Sequence, residues 1–318
     1  MNPLAQRPTV STLLSPRLPL ELERFVFELA AHRQRSDIPR FIRVAWRVKE
    51  WLEPVLYQFL LATAYSIHYL PPQPVHRLPR IRTEKLLSLI STKSPPFCNS
   101  VQRLLLNLDV ERHAQLFYLV ILAACSQLTE LYFLSRRCLN SAYLPRLCEL
   151  NSLHRLAVDA PRLFHPNPVD YGSSLFRNIT HFELLSYCDP DTCSGIGEEL
   201  AHAPSLTHIA FHNTVNIPAI HACVRANSHL TCILFRSNLP IHPHIRPLSP
   251  DVRMVCMPYD NLVLSWFRGV TSGHDHWAAA DEFIAAKRAG KIDPSVYFTA
   301  PEPDFRDELN GIQRNYKI

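Results

Sequence analysis

Gly273-His274-Asp275-His276-Trp277 is the stretch with the clearest chemical potential, because two imidazoles stand two places apart. On a strand, such a pair would project both rings to one side, where they could share a metal ion. At a helix start the same residues are solvated cap groups. The surroundings favour the helix: Ser272 and Asp275 are spaced as a capping box, and Gly290 offers a stop. Cys188 and Cys193 bracket Asp-Pro-Asp-Thr, but no second pair with metal-finger spacing accompanies them, so they read as loop thiols. The Gly-Ile-Gly at 195–197 has Leu200 where a dinucleotide loop needs its third glycine, and reads as a helix-start turn. There is no GxSxG elbow, no Walker loop and no HExxH. The expectation is a protein that is not an enzyme and that needs no cofactor or metal.

The chain has 318 residues and 47% apolar content, enough to bury a large core. Glycine is scarce at 7 and proline abundant at 27, which leaves little material for phosphate-cradling loops. The 9 cysteines, an odd number with no CxxC pair, read as reduced thiols of a cytoplasmic or nuclear protein. The longest apolar run, Leu116 to Cys125, falls well short of the roughly 20 residues that span a bilayer, and the N-terminus lacks a secretory core. No membrane association is expected. The first hundred residues hold 14 Lys/Arg against 7 Asp/Glu. That excess is too mild and too dispersed to indicate nucleic acid.

A hexamer with apolar residues at its first, fourth and sixth places recurs along the chain. Copies begin at Val101 (VQRLLL), Leu128 (LTELYF), Leu153 (LHRLAV), Ile179 (ITHFEL), Leu206 (LTHIAF), Leu230 (LTCILF) and Val252 (VRMVCM). Places four and six share one face of a strand, and places three, five and seven share the other. Between copies lie helix-compatible segments, such as the one carrying Ile217, Ile220 and Val224 behind Pro218. A strand–helix unit this small cannot bury its own apolar side, so the units must stack as parallel rungs. The spacing, roughly 20 to 29 residues, is that of leucine-rich repeats. The asparagine that usually follows the strand has only Asn213 and Asn238 as its nearest equivalents.

Upstream, Leu18, Leu22, Val26 and Leu29 fall on one helical face, with Phe25 beside it. A second helix is expected after Asp37 as N-cap, with Pro39 in its first turn, running toward Trp51 and Leu52 until Pro54 interrupts it. From Val55 the chain reads as a strand. The segment LPLELERFVFEL from Leu18 resembles the opening of an F-box, and VAWRVKEWLEPVLY from Val44 resembles its closing segment. Phe25 stands where a polar residue is usual, and Ile38-Pro39-Arg40 replaces the usual aspartate-leucine step. An F-box followed by leucine-rich repeats is similar to the F-box-like proteins of mushroom-forming fungi. The resemblance implies a substrate receptor of a cullin-type ubiquitin ligase, bound to a Skp-type adaptor and through it to a cullin scaffold. By the same resemblance, Leu18, Pro19, Leu22, Val26, Leu29 and Trp51 make the adaptor surface or its support. A repeat scaffold without ligase association is the alternative.

The fold expected is therefore α/β: a helical F-box-like segment at 18–62, a leucine-rich-repeat solenoid with a parallel sheet at 101–257, and a capping helix within 258–298 over the open end of the array. A flexible N-terminus (1–17), a proline-rich connector with a short helix (63–100) and a loose tail (299–318) complete the map. The second face of the sheet is read as open. It would carry Arg103, Glu130, Arg155, His181 and His208 at place three, Tyr132 and Glu183 at place five, and His212 and Arg236 at place seven. These nine residues are the expected site for an unidentified client protein, Tyr132 and the arginines being typical interface anchors. The alternative is that their charges only neutralise one another across the ladder.

Overall fold

The hexamers do fold as strands, and the strands assemble in chain order. The computed structural model describes residues 18–63, 80–92, 95–107, 114–134, 139–187, 196–212, 217–237, 250–258 and 262–299. The strands are β1 (Phe59–Thr63), β2 (Arg80–Arg82), β3 (Arg103–Asn107), β4 (Glu130–Phe133), β5 (Arg155–Val158), β6 (His181–Tyr187), β7 (His208–His212), β8 (Cys232–Ser237) and β9 (Met254–Pro258). They form one parallel sheet in the order β2-β1-β3-β4-β5-β6-β7-β8-β9.

The chain divides into two units, Met1–Leu56 and Tyr57–Ile318. In the first, α1 (Leu20–Arg33) is followed by a 3-10 turn (Arg35–Asp37), α2 (Ile38–Phe41) and α3 (Trp46–Tyr57), which runs to the boundary. The second helix thus comes in two pieces. Pro54 does not stop α3, because it lies in the final turn and removes a single backbone donor there. Beyond it Val55 and Leu56 still pack against the small core of Ala31, Ile38, Val48 and Leu52. Helix persists through Tyr57, so the strand expected from Val55 begins only at Phe59.

In the second unit, the helices between strands are α4 (Thr83–Thr92), α5 (Pro95–Ser100), α6 (Ala114–Ala124), α7 (Leu144–Cys148), α8 (Ala160–Phe164), α9 (Ile196–Glu199) and α10 (Ile217–Val224). Leu86, Tyr118, Leu147, Leu163, Ile196 and Ile220 from six of them share one core with the fourth and sixth places of the strands. Leu131, Leu156, Phe182, Ile209 and Ile233 pair rung to rung as one buried column. Threonines at the second place tie successive rungs: the Thr129, Thr180, Thr207 and Thr231 hydroxyls donate to Gln102, His154, Thr180 and Thr207 carbonyls at 3.1, 3.1, 3.2 and 3.1 Å.

One rung is displaced from its expected frame. Ile233 pairs with Met254 and Phe235 with Cys256, so the last hexamer begins at Asp251 rather than Val252. Because side chains alternate along a strand, that single step turns Val255 and Met257 to the opposite face.

Two C-terminal helices follow, α11 (Leu262–Ser272) and α12 (His276–Arg288), where a single capping helix was expected. Gly273, at φ 78°, makes the break. Asp275 caps α12 by accepting the Ala278 N–H at 2.8 Å, and Gly290, at φ 69°, ends it. Neither helix serves as an end cap. Both lie over the second face of the sheet, α11 against Phe59, Leu61, Leu105 and Tyr132, and α12 against Ala210, Cys232, Leu234 and Val255.

Candidate functional site

The two places singled out as binding surfaces have opposite fates. On α1, the apolar face is exposed: Leu22 is 52% exposed, Phe25 61% and Val26 53%, with Leu18 and Leu29 alongside. Pro19 stands at the N-cap of the helix, exposed. The same unit exposes Trp46 at 70%, its ring beneath the Lys49 ammonium at 4.6 Å. Trp51 differs from the rest of its set, since it is part-buried against the unit's own core. Glu23, on the inner side of α1, accepts from Arg47 at 2.8 Å and so ties α1 to α3.

The sheet face, by contrast, is not open. Glu130, Tyr132, Glu183, His212 and Arg236 are buried beneath α11 and α12, and Arg103, Arg155, His181 and His208 are only partly exposed at the strand starts. The face is covered because its fifth places, Glu183 excepted, are apolar and α11 and α12 supply Trp266, Phe267, Trp277 and Ile284 to match them. Tyr132, expected as an interface anchor, packs 6.5 Å from the Trp266 ring. Its hydroxyl is held well above the usual phenol range by burial and by the nearby Glu183 and Glu130 charges. Five of the nine residues expected to face a client are therefore buried, and the set does not form an open face.

The cover brings the same residues into a polar network. The Glu183 carboxylate accepts from His212 Nε2 and, at 2.8 Å, from Arg236 Nη1, while His276 Nε2 lies 3.5 Å from its second oxygen. Burial works against the Glu183 charge, but His276, His212 and Arg236 more than reverse it, so its carboxyl stays well below the ordinary range. His276 is pushed down to about 3 by burial, with Arg236 adding to the effect and Glu183 opposing it. The ring is therefore neutral near pH 7, and its Nδ1 lies 2.9 Å from Ser265 Oγ on α11.

Toward the strand starts, Arg155 donates to Asp275 at 2.7 Å, and Arg103 lies 3.8 Å from Glu130. Burial pushes Glu130 up to about 7 despite both arginines. His181 and His208 stack at 4.0 Å, both edge-on to Trp277, and His208 Nε2 lies 3.0 Å from Asp281.

Of the histidines read as solvated cap groups, His274 is exposed and His276 is buried. Ser265, His276 and Glu183 line up as hydroxyl, imidazole and carboxylate, but the serine is 3% exposed beneath its own helix. Among the described residues, no group of three or more His, Cys, Asp or Glu could hold a metal ion, and no helix is long and apolar enough to cross a membrane. Cys188, Cys193, Asn213 and Asn238 lie outside the described residues. Six cysteines, Cys98, Cys125, Cys148, Cys223, Cys232 and Cys256, are free thiols.

Sequence reasoning missed Ser265, Trp266, Trp277, Asp281 and Lys287, which make the cover. One available signal was the run Leu262 to Phe267, too apolar for a helix with one wet side. No family model matches the chain, and no curated protein matches its sequence.

Proposed function

We propose that this chain is a protein-binding receptor whose N-terminal helical unit docks a Skp-type adaptor, and through it a cullin-type ubiquitin ligase. The observation that supports the reading most is the exposed apolar face of α1: Leu22, Phe25, Val26 and Leu29 on one side of a helix whose other side is already packed, with Leu18 exposed just ahead of it. Large apolar side chains gathered on one helical face mark a surface that another helix can cover. The order of the elements agrees with the resemblance, since the helical unit precedes a sheet of sequential parallel strands, which we read as a leucine-rich-repeat solenoid. The client is captured elsewhere than on the sheet face beneath α11 and α12.

The test is co-purification with a Skp-type adaptor. Leu22→Asp places a charge on the exposed face, so folding stability should change by no more than about 0.5 kcal/mol. A buried hot spot in the complex would lose about 2 kcal/mol, roughly 30-fold in affinity. Adaptor binding left unchanged in folded Leu22→Asp protein defeats the docking surface. Wild-type protein that ignores the adaptor favours the alternative, a repeat scaffold without ligase association.

A further inference from the structure

The second face of the sheet is held under two helices of different character. α11 lies on it through large apolar side chains, Trp266, Phe267 and Val270 against Leu61, Leu105 and Tyr132. α12 sits on smaller residues, and much of its grip is ionic or polar: Asp275 to Arg155, Asp281 to His208, and Lys287 Nζ to the Met254 carbonyl at 2.9 Å. Trp277, the largest apolar anchor of α12, stands edge-on to the stacked rings of His181 and His208. In that stack Thr180 Oγ1 lies 2.9 Å from His181 Nδ1 and Thr207 Oγ1 2.7 Å from His208 Nδ1. A positive charge on His208 would face Asp281. A charge on His181 would face Arg155, His208 and His276, all of its own sign or able to take it.

We propose that α12 is an acid-released flap over the β7–β9 part of the sheet: protonation of His181 in its stack unseats Trp277, and α12 lifts about the Gly273 turn while α11 stays packed. Gly273 suits a hinge, being at positive φ with open space around it. What the flap uncovers is an apolar strip of Ala210, Cys232, Leu234 and Val255 beside the Glu183–Arg236 pair. The inference stands apart from the adaptor reading, which concerns the other unit.

The sign follows from which state binds protons. His181 is pushed down to about 2, by burial first and by His208 and Arg155 next, and His276 to about 3, from an ordinary value of 6.5 for both. A histidine whose value is lowered in the closed state stabilises that state above its free value, and the stabilisation fades as pH falls below it. From about pH 7.5 to about pH 5.5, each freed histidine raises the open population about tenfold, and the two together about 100-fold.

The other groups facing α12 do not cancel this. Lys287, lowered to about 8 chiefly by burial, is already charged across most of that window. Burial keeps the Cys232 and Cys256 thiols protonated throughout it, and Glu183, held low, stays ionised. Arg236 and Arg288 keep their charge, and opening parts Asp275 from Arg155 and Asp281 from His208. Glu130, pushed up to about 7, would oppose release if it were solvated, but it is on β4, whose Tyr132 packs against Trp266 of the retained α11.

Cys232, fully buried under α12, reports the opening, and Cys125, in the core on the other side of the sheet, reports global unfolding. The full chain is treated with 4,4′-dithiodipyridine, which captures thiols in acid, and labelling at each cysteine is mapped by peptide mass spectrometry. The expected result is Cys232 labelling that rises about 100-fold between about pH 7.5 and about pH 5.5, relative to a cysteine peptide, with Cys125 protected. In His181→Phe, which keeps a ring in the stack, the rise should shrink to about tenfold. Trp277→Ala should label quickly at both pH values. Cys232 that stays protected in acid, a rise undiminished in His181→Phe, or Cys125 labelling in step with Cys232 would each overturn the flap.

Discussion

Replacing Glu183 with leucine should be among the most damaging single changes in the sheet, and the damage should be largely reversible by a second change. Glu183 is 1% exposed and Arg236 is fully buried, and they meet at 2.8 Å. Glu183→Leu keeps the volume but leaves the Arg236 cation inside the protein without that carboxylate. Removing one partner of a buried pair costs about 3 to 5 kcal/mol, because the remaining charge keeps its desolvation penalty. For a unit of this size, each kcal/mol lowers Tm by about 2 to 4 °C, so the drop should be roughly 10 °C. Arg236→Met alone should cost about as much, since Glu183 then has only the imidazoles. The double variant Glu183→Leu/Arg236→Met removes both charges and should recover to within about 1 to 2 kcal/mol of wild type, since a buried ion pair replaced by apolar residues is often neutral.

The assay is urea unfolding of all four proteins near neutral pH, repeated in acid. Glu183 has its value lowered by folding, so its contribution is present above the unfolded value of 4.5 and fades as pH falls below it. Wild type should therefore lose stability below about pH 4.5 more steeply than Glu183→Leu. A single-variant cost under about 1 kcal/mol, or additivity in the double variant, would show that the pair does not carry the energy assigned to it.

Phe182→Ala should cost about 3 to 5 kcal/mol in urea unfolding, because its ring is fully buried in the rung column and meets Phe176 edge-on at 5.1 Å. Gly290→Ala should cost only about 1 kcal/mol by calorimetry: the position is at φ 69° with open space around it, so backbone strain is the whole penalty.

The rung pattern was legible because it is local. Fourth and sixth places repeat the same apolar letters, and a strand that must bury one face shows it in six residues. The single error of frame, at Val252, came where the hexamer is apolar at five of its six places and either face could have been the core. The N-terminal helices were legible for the same reason, except that Pro54 was given too much authority. A proline in the last turn has only one donor to remove, and the core contacts beyond it decide the outcome.

The cover over the second face was written in the sequence, but in a different place from the charges that drew attention. Leu105, Tyr132, Ala157, Ala210 and Leu234 are the fifth places of their rungs, and all but Ala157 and Ala210 are large. Strands buried on both faces read as continuous apolar runs, and Leu104-Leu105-Leu106 and Ile233-Leu234-Phe235 are such runs. Those residues call for a second layer, and α11, with six consecutive buried residues from Leu262 to Phe267, is the segment able to supply it. The charged letters at places three, five and seven then take on another meaning. Glu183 and Arg236 lie 53 residues apart, and His276 comes from a helix that no period connects to either. Spacing can place each residue on the correct face of its strand, but it cannot say which charge will find which across a second layer. For that reason His181 reads as a surface group in sequence and becomes, once α12 closes over it, a group whose protonation is set first by burial.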